Sequence, residues 1–149
     1  MIYVDADACP VRDDIITIAL RHHTPVMMVC NGGIRPHPHS LISLKIVATG
    51  PDEADKWIAE TMTGNDILVT NDIPLAAKVI AKGAAVMRAD GSLLTEANIG
   101  SVLATRDLMS DIRAADPFHQ SKSKAVSKST KGQFRQKFDQ LVQQKSMSA

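Results

Sequence analysis

The chain has 149 residues, 44% of them hydrophobic and 22% charged, which suits one domain with its own core and excludes a disordered or fibrous protein. An aromatic share of 3% argues against a stacking platform for single-stranded nucleic acid, and no apolar run approaches the length of a membrane span. The net charge of +1 hides an asymmetry: residues 1–117 carry 10 Lys/Arg against 15 Asp/Glu, and residues 118–149 carry 7 against 1. An acidic body can hold cations and a basic tail can hold phosphates, the bland alternative being a solubilising tail.

Ile2-Tyr3-Val4 is an apolar, β-favouring run too short for a helix, and it leads into Asp5-Ala6-Asp7-Ala8-Cys9-Pro10. Pro10 has no amide hydrogen and suits a first helical turn, so a buried strand here delivers two carboxylates to a strand-to-helix turn. Alternation puts Asp5 and Asp7 on one side, where like charges call for a cation or a proton between them; a divalent metal is the natural resident. The competing explanation makes one aspartate a helix cap and the other a solvated charge. Cys9, behind an acidic pair that disfavours its thiolate, is assigned to packing. With only Cys9 and Cys30, and no basic-apolar-small leader before the first strand, the expected compartment is the reducing cytoplasm.

Val11, Ile15, Ile18 and Ala19 fall on one helical stripe that ends near Arg21-His22-His23, where positive charge suits a helix C-terminus. Val26 to Cys30 reads as a buried strand. Asn31 to Ser40 is a loop by its Gly and Pro content, with Arg35 a candidate phosphate contact; His37 and His39, set among prolines without a Cys pair, read as surface residues. Leu41 to Val47 gives a strand of imperfect alternation. Gly50-Pro51-Asp52-Glu53-Ala54-Asp55 then opens a helix through Trp57, Ile58 and Met62. Acids in a first turn suit the helix dipole, yet Asp52 and Asp55 are three apart and share a face. That face looks toward Asp5 and Asp7 if the helix begins at the carboxyl edge of the sheet.

Ile67 to Thr70 is the next buried strand, followed by Asn71-Asp72 and a helix opened by Ile73-Pro74. The N-terminal logic is repeated: apolar strand, Asp, Pro in the opening turn. Lys82-Gly83 stops that helix, Ala84 to Met87 forms a fifth strand, Arg88 to Ser92 turns, and Thr95 is expected to cap a long helix through Ile112. Asp90 follows the fifth strand and is a further acidic candidate. Strands alternating with helices imply an α/β fold with a mostly parallel sheet. The expected organisation is a domain over 1–116, a Ser/Lys-rich linker over 117–130, and a C-terminal helix and tail over 131–149, where Phe134, Phe138, Leu141 and Val142 recover helical spacing.

Asp5-Ala-Asp-Ala-Cys-Pro10, Asp52 with Ala54-Asp55, Thr70 with Asp72-Ile-Pro-Leu-Ala76, Lys82-Gly-Ala84 and Arg106-Asp107 together resemble the YaiI/YqxD family of uncharacterised bacterial proteins, within the PIN-like nuclease superfamily. The resemblance implies a three-layer α/β/α fold with a five-stranded sheet in the order 3-2-1-4-5, so that Asp5, Asp7 and Asp72 meet where the strand order reverses. It also implies that Asp5 and Asp72 match the superfamily's acidic metal cluster and that Asp55, with Asp52, matches its helical acid; Asp7 belongs to the family's own hexapeptide.

The resulting expectation is a Mg²⁺- or Mn²⁺-dependent nuclease cutting phosphodiesters, with RNA as partner and no membrane. Asp5, Asp7, Asp55 and Asp72 are its catalytic candidates, joined by Asp52 as metal ligands. Arg35, Lys122, Lys124, Lys128, Lys131 and Arg135 are its nucleic-acid contacts. Two rivals stay open. One is a phosphatase of the haloacid dehalogenase type, which also opens on a strand and Asp-x-Asp, with Thr70 and Lys78 or Lys82 imitating its later motifs. The other is a non-catalytic RNA-binding or interaction module whose aspartates are helix caps.

Overall fold

The computed structural model describes residues 1–6, 9, 11–48, 53–105 and 128–147. Strands β1 (Ile2–Asp5), β2 (Val26–Cys30), β3 (Ile42–Ile46), β4 (Ile67–Val69), β5 (Ala85–Met87) and β6 (Leu93–Leu94) form one sheet in the order β3-β2-β1-β4-β5-β6. All neighbours are parallel except β5 and β6. The first five strands therefore take the order the resemblance implies, and β6 adds an antiparallel edge. Leu93-Leu94 is too short a run to stand out by periodicity; only its hairpin partner makes it a strand. In that hairpin Arg88 N donates to Ser92 O (2.9 Å) and Ser92 N donates to Asp90 Oδ1 (2.8 Å), while Gly91 sits at φ +89°.

Central strands are continuous apolar runs because helices cover both faces. Helices α1 (Arg12–Arg21) and α5 (Lys128–Met147) cover one face, where Ile2, Val4, Val26, Met28, Ile67, Val69 and Met87 meet Ile15, Ile18, Phe134 and Phe138. Helices α2 (Glu53–Thr61), α3 (Ile73–Ile80) and α4 (residues 99–105) cover the other, where Tyr3, Val29, Leu68 and Val86 meet Ile58, Leu75, Val79 and Val102. These are the three layers. The imperfect alternation of β3 has a plain cause: it is the sheet edge, and Ile46 is 58% exposed.

The expected stripe Val11, Ile15, Ile18 and Ala19 is buried as a set. Helix α1 ends at His22, and His23 takes φ 52°, a left-handed turn that breaks the helix. The helix expected from Thr95 starts later, at residue 99, because Asn98 turns back: its Oδ1 accepts from Thr95 N (2.8 Å) and its Nδ2 donates to Leu93 O (3.0 Å). Its expected continuation to Ile112 lies outside the described residues.

Helix α5 belongs to the core. Phe134 and Phe138 are fully buried and stack with centroids 5.2 Å apart. Arg135 pairs with Asp14 at the start of α1 (3.4 Å), whereas Asp139 meets His22 Nε2 (2.6 Å) and Arg21 (3.5 Å) at its end. The two helices thus run side by side from the carboxyl edge of the sheet to its amino edge. Among the described residues no helix is long and apolar enough to cross a membrane.

Candidate functional site

In a parallel sheet every strand delivers its last residue to the same edge, and the strand order here reverses between β1 and β4. A cavity of about 260 Å³ opens at that point, lined by Asp5, Cys9, Val69, Thr70, Asn71, Asp72 and Ala89. Asp5 closes β1. The β1–β4 register pairs Val4 with Val69, so Asp5 stands level with Thr70, and Thr70 Oγ1 donates to Asp5 Oδ2 at 3.2 Å. That same hydroxyl oxygen accepts from Asp72 N at 3.0 Å. Buried Thr70 therefore fixes both aspartates at once.

Asp72 is the N-cap of α3, its Oδ1 accepting from Leu75 N at 3.0 Å, with Pro74 in the opening turn. Asn71 Oδ1 accepts from Ala89 N at 3.0 Å and ties the end of β5 to the end of β4. In the sequence Thr70 enters only through the family motif and the phosphatase rival, and Asn71 has no part in the site; the available signal was their place between a buried strand and a capping aspartate.

Asp55 lies in the first turn of α2, half-buried on the face of the sheet that carries Asp5, but it does not line the cavity. Asp7, Asp52, Lys122 and Lys124 lie outside the described residues. Among those described, no three His, Cys, Asp or Glu side chains stand close enough to hold one ion. Arg35 is exposed on the loop after β2, at the same edge as Asp5. Lys128, expected in the linker, begins α5, and Lys131 and Arg135 follow within it, on the helix expected over 131–149. Since α5 runs down from the carboxyl edge, its basic first half lies toward the site. His37 and His39 each use Nδ1 to accept a backbone N–H two residues on (3.1 Å each), as turn formers do.

Burial and, against it, the Ser92 hydrogen bonds and then the Arg88 charge decide the state of Asp90. Burial alone raises its carboxyl, but hydrogen bonds from Ser92 and the Arg88 guanidinium outweigh that and hold it below the usual value; it shapes the β5–β6 turn. Cys9 is driven the other way. Burial first, with Asp5 adding a smaller push, raises its thiol to about 11 against the lowering pull of the Val11 amide and Arg12. At neutral pH Cys9 therefore lines the cavity as an uncharged thiol.

Compared with known proteins, residues 3–144 match the family model described as "Uncharacterized BCR, YaiI/YqxD family". The chain belongs to the YaiI/YqxD family. A UPF0178 protein of Cereibacter sphaeroides is 51% identical over 133 residues, covering 89% of this chain and 82% of the relative. One from Roseobacter denitrificans is 50% identical over 133 residues, covering 89% and 88%. Another, from Parvibaculum lavamentivorans, is 46% identical over 144 residues, covering 95% and 93%. No solved structure matches the chain. YaiI/YqxD membership thus extends over nearly the whole described fold and carries no assigned activity with it.

Proposed function

We propose that this YaiI/YqxD protein is a Mg²⁺- or Mn²⁺-dependent nuclease that cuts phosphodiesters in RNA. The observation that carries the reading is the pairing of Asp5 and Asp72 in one open cavity at the strand-order reversal, with Thr70 bonded to both. The donors are hard oxygens, and one or two carboxylates with substrate phosphate and water is the usual protein share around Mg²⁺. They fit that ion, with Asp5 and Asp72 as the holding residues. Bound there, it would neutralise a scissile phosphate and lower the pKa of an attacking water. Thr70 sets the plane of the Asp5 carboxylate, the α3 amide of Leu75 anchors Asp72, and Cys9 keeps one wall uncharged. Arg35 and the first half of α5, with Lys131 and Arg135, place positive charge at the same edge, where it attracts a polyanion.

The phosphatase reading loses support at the lysines. Lys82 Nζ bonds to Ala59 O and Met62 O beyond the far end of α3, and Lys78 is exposed in the last turn of that helix. Neither lines the cavity. The test is to incubate the full chain with end-labelled RNA and with p-nitrophenyl phosphate, each in Mn²⁺, Mg²⁺ or EDTA. RNA shortened only with metal, and an untouched monoester, is the expected result. Hydrolysis of the monoester alone would restore the phosphatase, and RNA bound without cleavage in Mn²⁺ would favour the interaction module.

A further inference from the structure

The row of residues that holds Asp5 continues one strand further. Register pairs Val69 of β4 with Met87 of β5, and Thr70 N donates to Met87 O at 3.2 Å, so the ladder runs on to set Arg88 beside Thr70 as Thr70 is set beside Asp5. Alternation settles the face. Val86 is buried with the α2/α3 layer and Met87 with the α1/α5 layer, so Arg88 shares a side with Val86; Tyr3 and Leu68 likewise put Asp5 and Thr70 on that side. Asp5, Thr70 and Arg88 thus form a line across three adjacent strands at the carboxyl edge, Arg88 two strand spacings from Asp5, roughly 10 Å.

The guanidinium in this line is poorly served. Its Nε is buried with no hydrogen-bond partner, and among the described residues no carboxylate forms an ion pair with Arg88. Asp90, whose carboxylate feels the Arg88 charge, has its Oδ1 engaged by Ser92 N. A buried, unpaired donor on a charged group works against stability, and a guanidinium offers paired N–H donors that match phosphate oxygens. The Asn71–Ala89 bond anchors the backbone next to Arg88 to the loop that carries Asp72.

We propose that Arg88 binds a phosphate of the nucleic acid next to the one cut at Asp5 and Asp72, so that the strand lies across the β1, β4 and β5 ends. This rests on the nuclease reading above. Arg88 is then a positioning residue that fixes which phosphate enters the metal-side cavity.

The test is fluorescence anisotropy of a labelled RNA oligonucleotide in EDTA over a salt series, with the wild type, Arg88→Gln, Arg88→Lys and the far-edge control Lys78→Gln. Arg88→Gln is expected to weaken binding about tenfold and to flatten the salt slope by roughly 0.7, the value of one phosphate contact on a single strand. Arg88→Lys is expected to restore the slope and only part of the affinity, since it keeps the charge and loses the fork. Lys78→Gln should change neither, and the melting temperature of Arg88→Gln should not fall. A wild type that binds and cuts RNA while Arg88→Gln matches it in affinity and slope overturns the role of Arg88 alone. A wild type that neither binds nor cuts RNA overturns the nuclease reading, and the role of Arg88 with it.

Discussion

Two strand-to-helix junctions in this chain are built to one recipe and do different things. At the β4–α3 junction, Asp72 spends one oxygen on the Leu75 amide, and α3 starts under its cap. At the β1–α1 junction, α1 starts after Val11 with no side-chain cap, and Asp5 is held instead by a hydroxyl from the neighbouring strand. An aspartate before a helix is explained by capping in the first case and not in the second. The comparison teaches that Asp72 has a capping duty as well as a place in the cavity, whereas Asp5 reaches the cavity from a strand end tied to the neighbouring strand.

The largest expected effect breaks the β1 side. Asp5→Asn keeps an oxygen that can accept from Thr70 and removes the charge, so RNA cleavage in Mn²⁺ should fall about 10³-fold while the melting temperature stays within a degree or two. A gel assay at matched protein concentration reads this. Loss of less than tenfold would mean that Asp5 is not at the reacting phosphate.

A smaller effect sharpens the contrast through stability. Asp72→Ala deletes a cap and should cost about 1 kcal/mol in urea unfolding, while Asp72→Asn, itself a good cap, should cost a few tenths at most. Asp5→Ala should lack this cap penalty, because α1 has no side-chain cap to lose. Equal losses at the two positions would erase the distinction between the junctions.

The smallest effect at neutral pH concerns the thiol in the β1–α1 junction. The Cys9 pKa, raised to about 11 from 9.0, means that the folded state keeps its proton where the unfolded chain loses it. Stability should therefore be unaffected below pH 9 and should fall between pH 9 and 11, on the order of 2 kcal/mol over the full window. Cys9→Ala should remove that part of the alkaline decline. Unfolding curves of the two proteins at pH 8, 9.5 and 10.5 measure it, and parallel declines would show that the thiol is not perturbed.

Much of the frame was legible in the sequence. Apolar runs mark β1, β2, β4 and β5, Pro74 and Asp72 mark the start of α3, and the stripe from Val11 to Ala19 marks the buried side of α1. The hidden parts depend on long-range partners. Leu93-Leu94 is a strand only because Arg88 and Ser92 close a hairpin, and Asn98 delays a helix that Thr95 was expected to start. At the site, the resemblance alone implied that Asp5 and Asp72 share one crevice, and the hydroxyl bonded to both was not legible, since a threonine at a strand end is ordinary until the neighbouring strand is in register. Asp55 illustrates the opposite limit: a place in the first turn of α2 does not bring it to the cavity lining.

The central claim is that Asp5 and Asp72 together hold a divalent ion, and a Mn²⁺ titration followed by thermal unfolding tests it most directly. Binding to the native state alone stabilises it in proportion to ln(1 + [L]/Kd), about 2.7 kcal/mol at a hundredfold excess over Kd. The wild type should melt progressively higher with Mn²⁺, and Asp5→Asn and Asp72→Asn should each lose most of that rise while folding normally without metal. A wild-type melting temperature that stays constant to millimolar Mn²⁺, or a rise that survives in both variants, would contradict the account.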